Sequence, residues 1–273
     1  MSNLTVRILF ALGGTPVVFF LIWYNELTRF GMMIALLSIA AWEWSRMVAM
    51  KIPGPAMSVG SPVATGLLVL AWVIERWIPG ILLVVGSEIT LLYLLVGFSR
   101  VKIEHLFPWI IMHASGALYL GLWGGMMIKL MGEGHGFESS AQFIVVMFAM
   151  WVCDTFAYFS GRLFGKHKLA PEISPKKTWE GAIGGTIFTV AFIVGVGNWA
   201  FHTSLWTNVV LGLVLSVAGQ TGDLFESVVK RWAGAKDSSQ VFPGHGGVMD
   251  RLDSLFMAAP LTVVLLGVVK AVS

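Results

Sequence analysis

Apolar stretches about as long as a bilayer crossing requires, about 20 residues each, recur at roughly 7–24, 30–50, 59–75, 78–98, 106–131, 142–164, 181–201, 205–226 and 251–270. That repetition leaves few folds open. A transmembrane barrel is written as short segments of alternating hydropathy, and such segments are absent. With a mean hydropathy of +0.80 and 12 Trp and 18 Phe, the chain reads as an all-α polytopic integral membrane protein of about nine helices. The third stretch is the weakest, because Gly60, Pro62 and Gly66 interrupt it. Arg7 before an apolar core looks like the start of a signal peptide. No small-x-small cleavage site precedes Tyr24-Asn25-Glu26, so the first stretch is expected to be a retained helix. A single cysteine, Cys153, allows no intrachain disulfide.

Orientation follows from the basic residues. With nine crossings, one face carries Arg7, Arg46, Lys51, Arg100, Lys102, Arg162, Lys166, Lys168, Lys176, Lys177, Lys230, Arg231, Lys236 and Arg251. Arg29, Arg76, Lys129 and Lys270 are left on the other. The asymmetry places the charged segments, about 165–180 and 227–250, in the cytoplasm. The expected division is an N-terminal transmembrane scaffold over 1–135 and a catalytic transmembrane region over 136–273. The scaffold has small-residue spacings such as Gly121-x-x-Gly124-Gly125 that suit close helix packing.

Ionisable groups are concentrated in the second region. Nine of them lie between Asp223 and Asp253, in a chain that is 12% charged. Charge beside a bilayer is expensive and marks function by default. Asp223, Glu226, Asp237, Asp250 and Asp253 offer oxygen to a hard divalent cation, and Lys230, Arg231, Lys236 and Arg251 can neutralise phosphate oxygens. Gly244, Gly246 and Gly247 permit close backbone approach to a ligand. Asp223, Glu226, Ser227, Lys230 and Arg231 repeat every three or four residues, so on a helix they share a face; the plainer reading is a helix end whose acids pair with its own bases. Asp250 and Asp253 open the following helix, and a hairpin of the two is expected to bring acids together around Mg²⁺ and substrate phosphates. His245 lacks partners at zinc spacing and is assigned to phosphate or to the turn.

In the other polar segment, Ser174-Pro175 reads as a helix start, Ser as N-cap and Pro at the first helical position. Lys176 and Lys177 would then crowd the positive end of a helix dipole, which argues for an anion there; a basic patch touching anionic lipid is the alternative. Gly181 and Gly185 form a packing face. Asp154 shares a helical face with Tyr158, Gly161 and Arg162, and either pairs with Arg162 or Lys177 or serves a metal.

The run Ser227-Val-Val-Lys230-Arg231, then Lys236-Asp237, then Phe242-Pro-Gly-His245-Gly246-Gly247-Val-Met-Asp250-Arg251-Leu-Asp253 resembles the signature of the CDP-diacylglycerol synthases, or phosphatidate cytidylyltransferases. Ser174-Pro-Lys-Lys-Thr178-Trp-Glu180-Gly is similar to a second motif of that family. The resemblance implies transfer of a cytidylyl group from CTP to phosphatidic acid, dependence on Mg²⁺ with room for a monovalent cation such as K⁺, and a homodimer, with no nucleic-acid partner. On that basis Asp223 and Asp250 are the expected principal metal ligands, with Glu226, Asp154 and Asp253 outside them. Lys230, Arg231, Lys236 and Arg251 would hold triphosphate and leaving pyrophosphate, with Asp237 orienting Lys236 and His245 beside them. Lys176 and Lys177, with Ser174, Thr178, Ser227, Gly246 and Gly247, would bind substrate. Competing readings are a related CTP-dependent polyprenol kinase, an ether-lipid cytidylyltransferase, and an ion-coupled transporter. The transporter is disfavoured because the acids lie in one half of the chain without an inverted repeat.

Overall fold

The structure is a computed structural model and describes residues 3–52, 101–132, 140–242 and 244–272. Its elements are α1 (Asn3–Tyr24), α2 (Glu26–Ala49), α3 (Ile103–Ala117), a π-helical turn (Leu118–Trp123) leading into α4 (Gly124–Leu130), α5 (Ala141–Phe164), β1 (Lys168–Ala170), β2 (Ser174–Thr178), α6 (Trp179–Phe201), α7 (Leu205–Ala233) and α8 (Met249–Val272). Among the described residues six helical stretches are long and apolar enough to cross a membrane: Glu26–Ala49, Ile103–Leu130, Ala141–Phe164, Trp179–Phe201, Leu205–Ala233 and Met249–Ala271. Each matches one of the expected crossings. The first expected crossing, 7–24, lies within the helix α1, Asn3–Tyr24. The third and fourth, 59–75 and 78–98, lie outside the described residues.

The chain divides into two compact units. The first comprises Met1–Ile128 and Val229–Arg251, the second Lys129–Val228 and Leu252–Ser273. Within the first unit, α2 begins at a capping box in which Asn25 Oδ1 accepts from the Thr28 amide and Thr28 Oγ1 accepts from the Asn25 amide, satisfying two donors that a helix start otherwise leaves unpaired. Its buried face carries Met33, Leu37, Ala40, Ala41, Trp44, Met47 and Val48. Trp44 lies against Gly116 of α3 and donates its indole N–H to the Met112 carbonyl at 2.8 Å. Farther along, Gly124 gives Leu37 the space a side chain would take, as the small-residue spacing around it predicts.

In the second unit, α5 and α6 pack backbone to backbone. A Cβ on Gly181 would sit 2.7 Å from the Ala157 carbonyl oxygen, and one on Gly185 would sit 2.9 Å from that of Cys153. The Gly181/Gly185 face therefore does what its spacing implies, since small residues let helices approach where lipid supplies no hydrophobic drive. Between α5, α6 and α7 runs a polar seam. Thr186 Oγ1 and Ser216 Oγ lie 2.8 Å apart, Gln220 Nε2 donates to Ser216 Oγ at 2.9 Å, and Cys153 Sγ is 3.5 Å from the same hydroxyl. At Gly222 of α7 the missing side chain makes room for the Asp253 carbonyl of α8. The opposite faces, with Trp151, Phe159, Leu163, Ile183, Ile187 and Phe188, are exposed, as lipid-facing helices require.

The expected helix start at Ser174-Pro175 is corrected. Residues 174–178 form a strand antiparallel to β1, with Lys168 opposite Thr178 and Ala170 opposite Ser174. Proline pushes the residue before it out of the α region, so Ser174 is extended and the strand continues through Thr178. The helix starts at Trp179, capped by Thr178, whose Oγ1 accepts from the Gly181 amide at 3.2 Å. The dipole argument for Lys176 and Lys177 falls with this, since neither lies in a helical turn.

Candidate functional site

In the second unit a cavity of about 340 Å³ opens among α5, β2, α6 and α7. Asp154, Tyr158, Gly161 and Arg162 of α5 line one wall, Lys176, Lys177 and Thr178 another, and Gln220 and Asp223 of α7 a third. The shared α5 face read from spacing is thus one continuous wall. Lys177 Nζ lies 2.7 Å from Asp223 Oδ2, with the two side chains 25% and 30% exposed. Ser227 Oγ donates to Asp223 Oδ1 at 3.5 Å, and Arg162 donates to the Tyr158 hydroxyl at 3.1 Å. Lys177 thus meets Asp223, a pairing that helical spacing alone did not offer. Glu180, 2.6 Å from His167 Nδ1 and accepting from the His167 amide, ties the end of α5 to the start of α6. Of the second motif, Lys176, Lys177 and Thr178 reach the cavity, while Ser174 stays on β2 and is not part of its lining.

Such a cavity holds both halves of what a phosphate-metal site requires. Lys176, Lys177 and Arg162 can meet anionic oxygen, and Asp154 and Asp223 offer the oxygen donors that Mg²⁺ takes, one or two at a time, with substrate phosphates completing its shell. Among the described residues no three of His, Cys, Asp and Glu converge as a ready-made metal cage. The donors present fit a cation that arrives with its substrate.

The first unit holds a second cluster, built on the segment between α7 and α8. Lys230 Nζ lies 2.6 Å from Asp250 Oδ1, and the side chains are 10% and 8% exposed. Asp250 Oδ2 accepts from the Ser238 amide (2.9 Å), the Ser238 hydroxyl (2.8 Å) and the Gly247 amide (2.8 Å). Removing one partner of such a buried pair costs about 3–5 kcal/mol. Among the described residues Oδ1 meets one hydrogen-bond partner, Lys230. Carboxylate oxygens have about two acceptor sites each, so Oδ1 is the edge with capacity for a cation.

Gly246 has φ +85°, a backbone conformation in which glycine carries no Cβ penalty, and closes a turn in which the Phe242 amide donates to the Gly246 carbonyl at 2.9 Å. His245 belongs to that turn, its amide donating to the Phe242 carbonyl at 2.8 Å. A side chain at Gly247 would collide with Ser238 Oγ and Glu43 Oε1. That glycine makes room for the protein's own carboxylate, where the sequence suggested a ligand. Arg231, Lys236, Asp237 and Arg251 are exposed. Arg231 donates to the Ala235 carbonyl at 3.0 Å, and Asp237 accepts from Gln240 at 3.5 Å. Glu226 is 1% exposed, and Asp253 Oδ1 accepts from the next residue's amide at 2.6 Å.

Sequence reasoning missed Glu43. Fully buried on α2, it accepts at Oε1 from the Ser239 hydroxyl and the Val248 amide (2.9 Å), and at Oε2 from the Ser238 hydroxyl (3.0 Å) and the Met249 amide (2.8 Å). The signal was present, because a lone acid inside an apolar stretch, between Trp42 and Trp44, is a functional candidate by default.

Residues 5–269 match the cytidylyltransferase family. The chain belongs to that family. It is 37% identical over 267 residues to the phosphatidate cytidylyltransferase of Brucella abortus biovar 1 (strain 9-941), covering 96% of this chain and 92% of that protein. Over shorter stretches it is 48% identical to the phosphatidate cytidylyltransferase of Haemophilus influenzae (strain ATCC 51907 / DSM 11121 / KW20 / Rd), across 122 residues, 43% of this chain and 42% of that one. The Staphylococcus saprophyticus subsp. saprophyticus (strain ATCC 15305 / DSM 20229 / NCIMB 8711 / NCTC 7292 / S-41) counterpart is 43% identical across 149 residues, 54% of this chain and 55% of that one. For a cytidylyltransferase, the mixed acid-base lining of the cavity is the chemistry its substrates demand.

Proposed function

We propose that this cytidylyltransferase moves the cytidylyl group of CTP onto phosphatidic acid, releasing pyrophosphate and leaving CDP-diacylglycerol in the membrane. The observation that carries this reading is the cavity in which Lys176, Lys177 and Arg162 stand beside Asp154 and Asp223. The nucleophile is an oxygen of the lipid phosphate, already anionic, so no strong base is needed. A bond forms from that oxygen to the α-phosphorus of CTP, the α–β bridging bond breaks, and pyrophosphate departs with the electron pair.

The obstacle is bringing two polyanions together, and catalysis becomes positioning plus charge neutralisation. Lys176, Lys177 and Arg162 hold phosphate oxygens in the cavity. Lys230, Lys236, Arg231 and Arg251 take the triphosphate and the leaving pyrophosphate. Asp223 with Asp154 in support in the second unit, and Asp250 in the first, are the acids that would hold Mg²⁺, and the cation when bound would neutralise phosphate oxygens and polarise the phosphorus under attack. Were Asp223 to hold the cation, the Lys177 ammonium that it now pairs with would be left to meet phosphate. The exposed apolar faces of α5 and α6 leave the acyl chains in lipid, and the basic asymmetry of the sequence supports polar segments that face the cytoplasm. A homodimer and a K⁺ site remain part of the same reading, as implications of the family resemblance.

The test crosses CTP, dCTP, ATP and UTP with phosphatidic acid, diacylglycerol and polyprenol, using purified protein. CTP with phosphatidic acid is expected to give CDP-diacylglycerol and pyrophosphate, in a Mg²⁺-dependent manner. Recovery of a lipid monophosphate and CDP would identify a kinase instead. Single cysteines at Lys168 and Gln240 are expected to label from the cytoplasmic side alone, and labelling from opposite sides overturns the shared orientation.

A further inference from the structure

We infer that Glu43 is a positioning residue for the reaction: from α2, far away in sequence, it holds the segment 238–249 in the conformation that aims Asp250. Its two oxygens are shared evenly. Each takes one serine hydroxyl and one backbone amide, Ser239 and Val248 on Oε1, Ser238 and Met249 on Oε2. Both ends of the segment are thereby fixed to one rigid side chain. The amides of Val248 and Met249 are donors that the beginning of α8 cannot satisfy internally, so Glu43 decides where that helix starts.

The connection to Asp250 runs through Ser238 and Gly247. Ser238 Oγ lies 3.0 Å from Glu43 Oε2 and 2.8 Å from Asp250 Oδ2, so its single proton is shared between the two carboxylates. The Ser238 and Gly247 amides both point at Asp250 Oδ2, and Gly247 can do so only because it lacks the side chain that would strike Glu43. Asp250 Oδ2 is thus held, and Oδ1 is directed away toward Lys230. A carboxylate whose one oxygen is fixed by surrounding donors presents the other at a defined angle, the usual way outer residues tune a ligand. Neither the family motifs nor the expected N-terminal scaffold assigns Glu43 this work.

Glutamine cannot replace it. The Gln amide nitrogen is a donor, and in either orientation it faces a backbone N–H of Val248 or Met249. Aspartate keeps the charge but is one methylene short.

This inference rests on the proposed role of Asp250, and the experiment separates the two. Hydrogen exchange of the full-length protein in detergent, without nucleotide or metal, is compared for wild type, Glu43→Gln, Glu43→Asp and Ser45→Ala, the last a buried neighbour on α2 with no link to the segment. Glu43→Gln is expected to speed exchange of the Val248 and Met249 amides at least about tenfold while peptides from 141–164 are unchanged. Its turnover of CTP should fall about 10–100-fold, with the KM for phosphatidic acid within about twofold. Glu43→Asp should fall between Glu43→Gln and wild type, and Ser45→Ala should match wild type in both readouts. Unchanged exchange at 248–249, or an equal rise throughout the protein, overturns the inference. If Glu43→Gln does not fold, Ser239→Ala, which removes one donor and leaves the acid three, must show the same local rise. A loosened segment in a protein that makes no CDP-diacylglycerol leaves the positioning role standing and removes the proposed reaction.

Discussion

Two lysine–aspartate pairs in this protein have nearly equal lengths and opposite surroundings. Lys177 and Asp223 meet at 2.7 Å on the wall of a cavity, each about a quarter exposed or more. Lys230 and Asp250 meet at 2.6 Å with a tenth or less of either side chain exposed, and three further donors hold the aspartate. Distance alone would rank them as equivalent. Environment separates them, because a half-buried pair on a cavity wall is more screened by water, whereas breaking a buried one strands a charge. The cavity pair is suited to being replaced by substrate and cation. The buried pair is suited to keeping a backbone segment in place, with Oδ1 the less occupied of the two oxygens.

The largest effect is expected of Asp250→Asn. Whichever way its amide turns, the NH₂ group faces donors, Lys230 on one side or Ser238 and Gly247 on the other. Expected are a loss of activity on the order of a hundredfold or more and a loss of about 3–5 kcal/mol in stability, read from melting followed by the fluorescence of the 12 tryptophans. Asp223→Asn should also lose activity on the order of a hundredfold, but its stability should change by about 0–1 kcal/mol. A large drop in melting for Asp223→Asn, or none for Asp250→Asn, would show that the two pairs are not distinguished by burial.

Gly247→Ala probes the buried segment without touching a charge. The added methyl must displace Ser238 or Glu43, so a loss of about 1–3 kcal/mol is expected. If melting is unchanged, the segment is more yielding than its hydrogen bonds imply. The smallest effect belongs to Asp237→Asn. Its side chain is exposed and accepts one long hydrogen bond from Gln240; stability should stay within about 0.5 kcal/mol, and steady-state turnover should fall far less than for Asp250→Asn. Turnover lost as fully as in Asp250→Asn would move the cation into the loop.

Features that one segment encodes locally were legible before folding. Hydropathy over about 20 residues located the described membrane helices, within a few positions except at the end of α7, which runs on to Ala233, because a bilayer crossing must satisfy its own backbone. Helical spacing gathered Asp154, Tyr158 and Arg162 on one wall, and Gly181 with Gly185 on one packing face. Ser174-Pro175 failed because proline fits two local structures: it accepts the first turn of a helix, and it also drives its predecessor into an extended strand. Which one forms depended on β1 being there to pair with. Tertiary structure alone decided that Lys177 meets Asp223, that Lys230 meets Asp250, and that Glu43 reaches Ser238 from 195 residues away. No periodicity links positions so distant. They become neighbours when buried donors and acceptors, having lost water, must find one another in the folded chain.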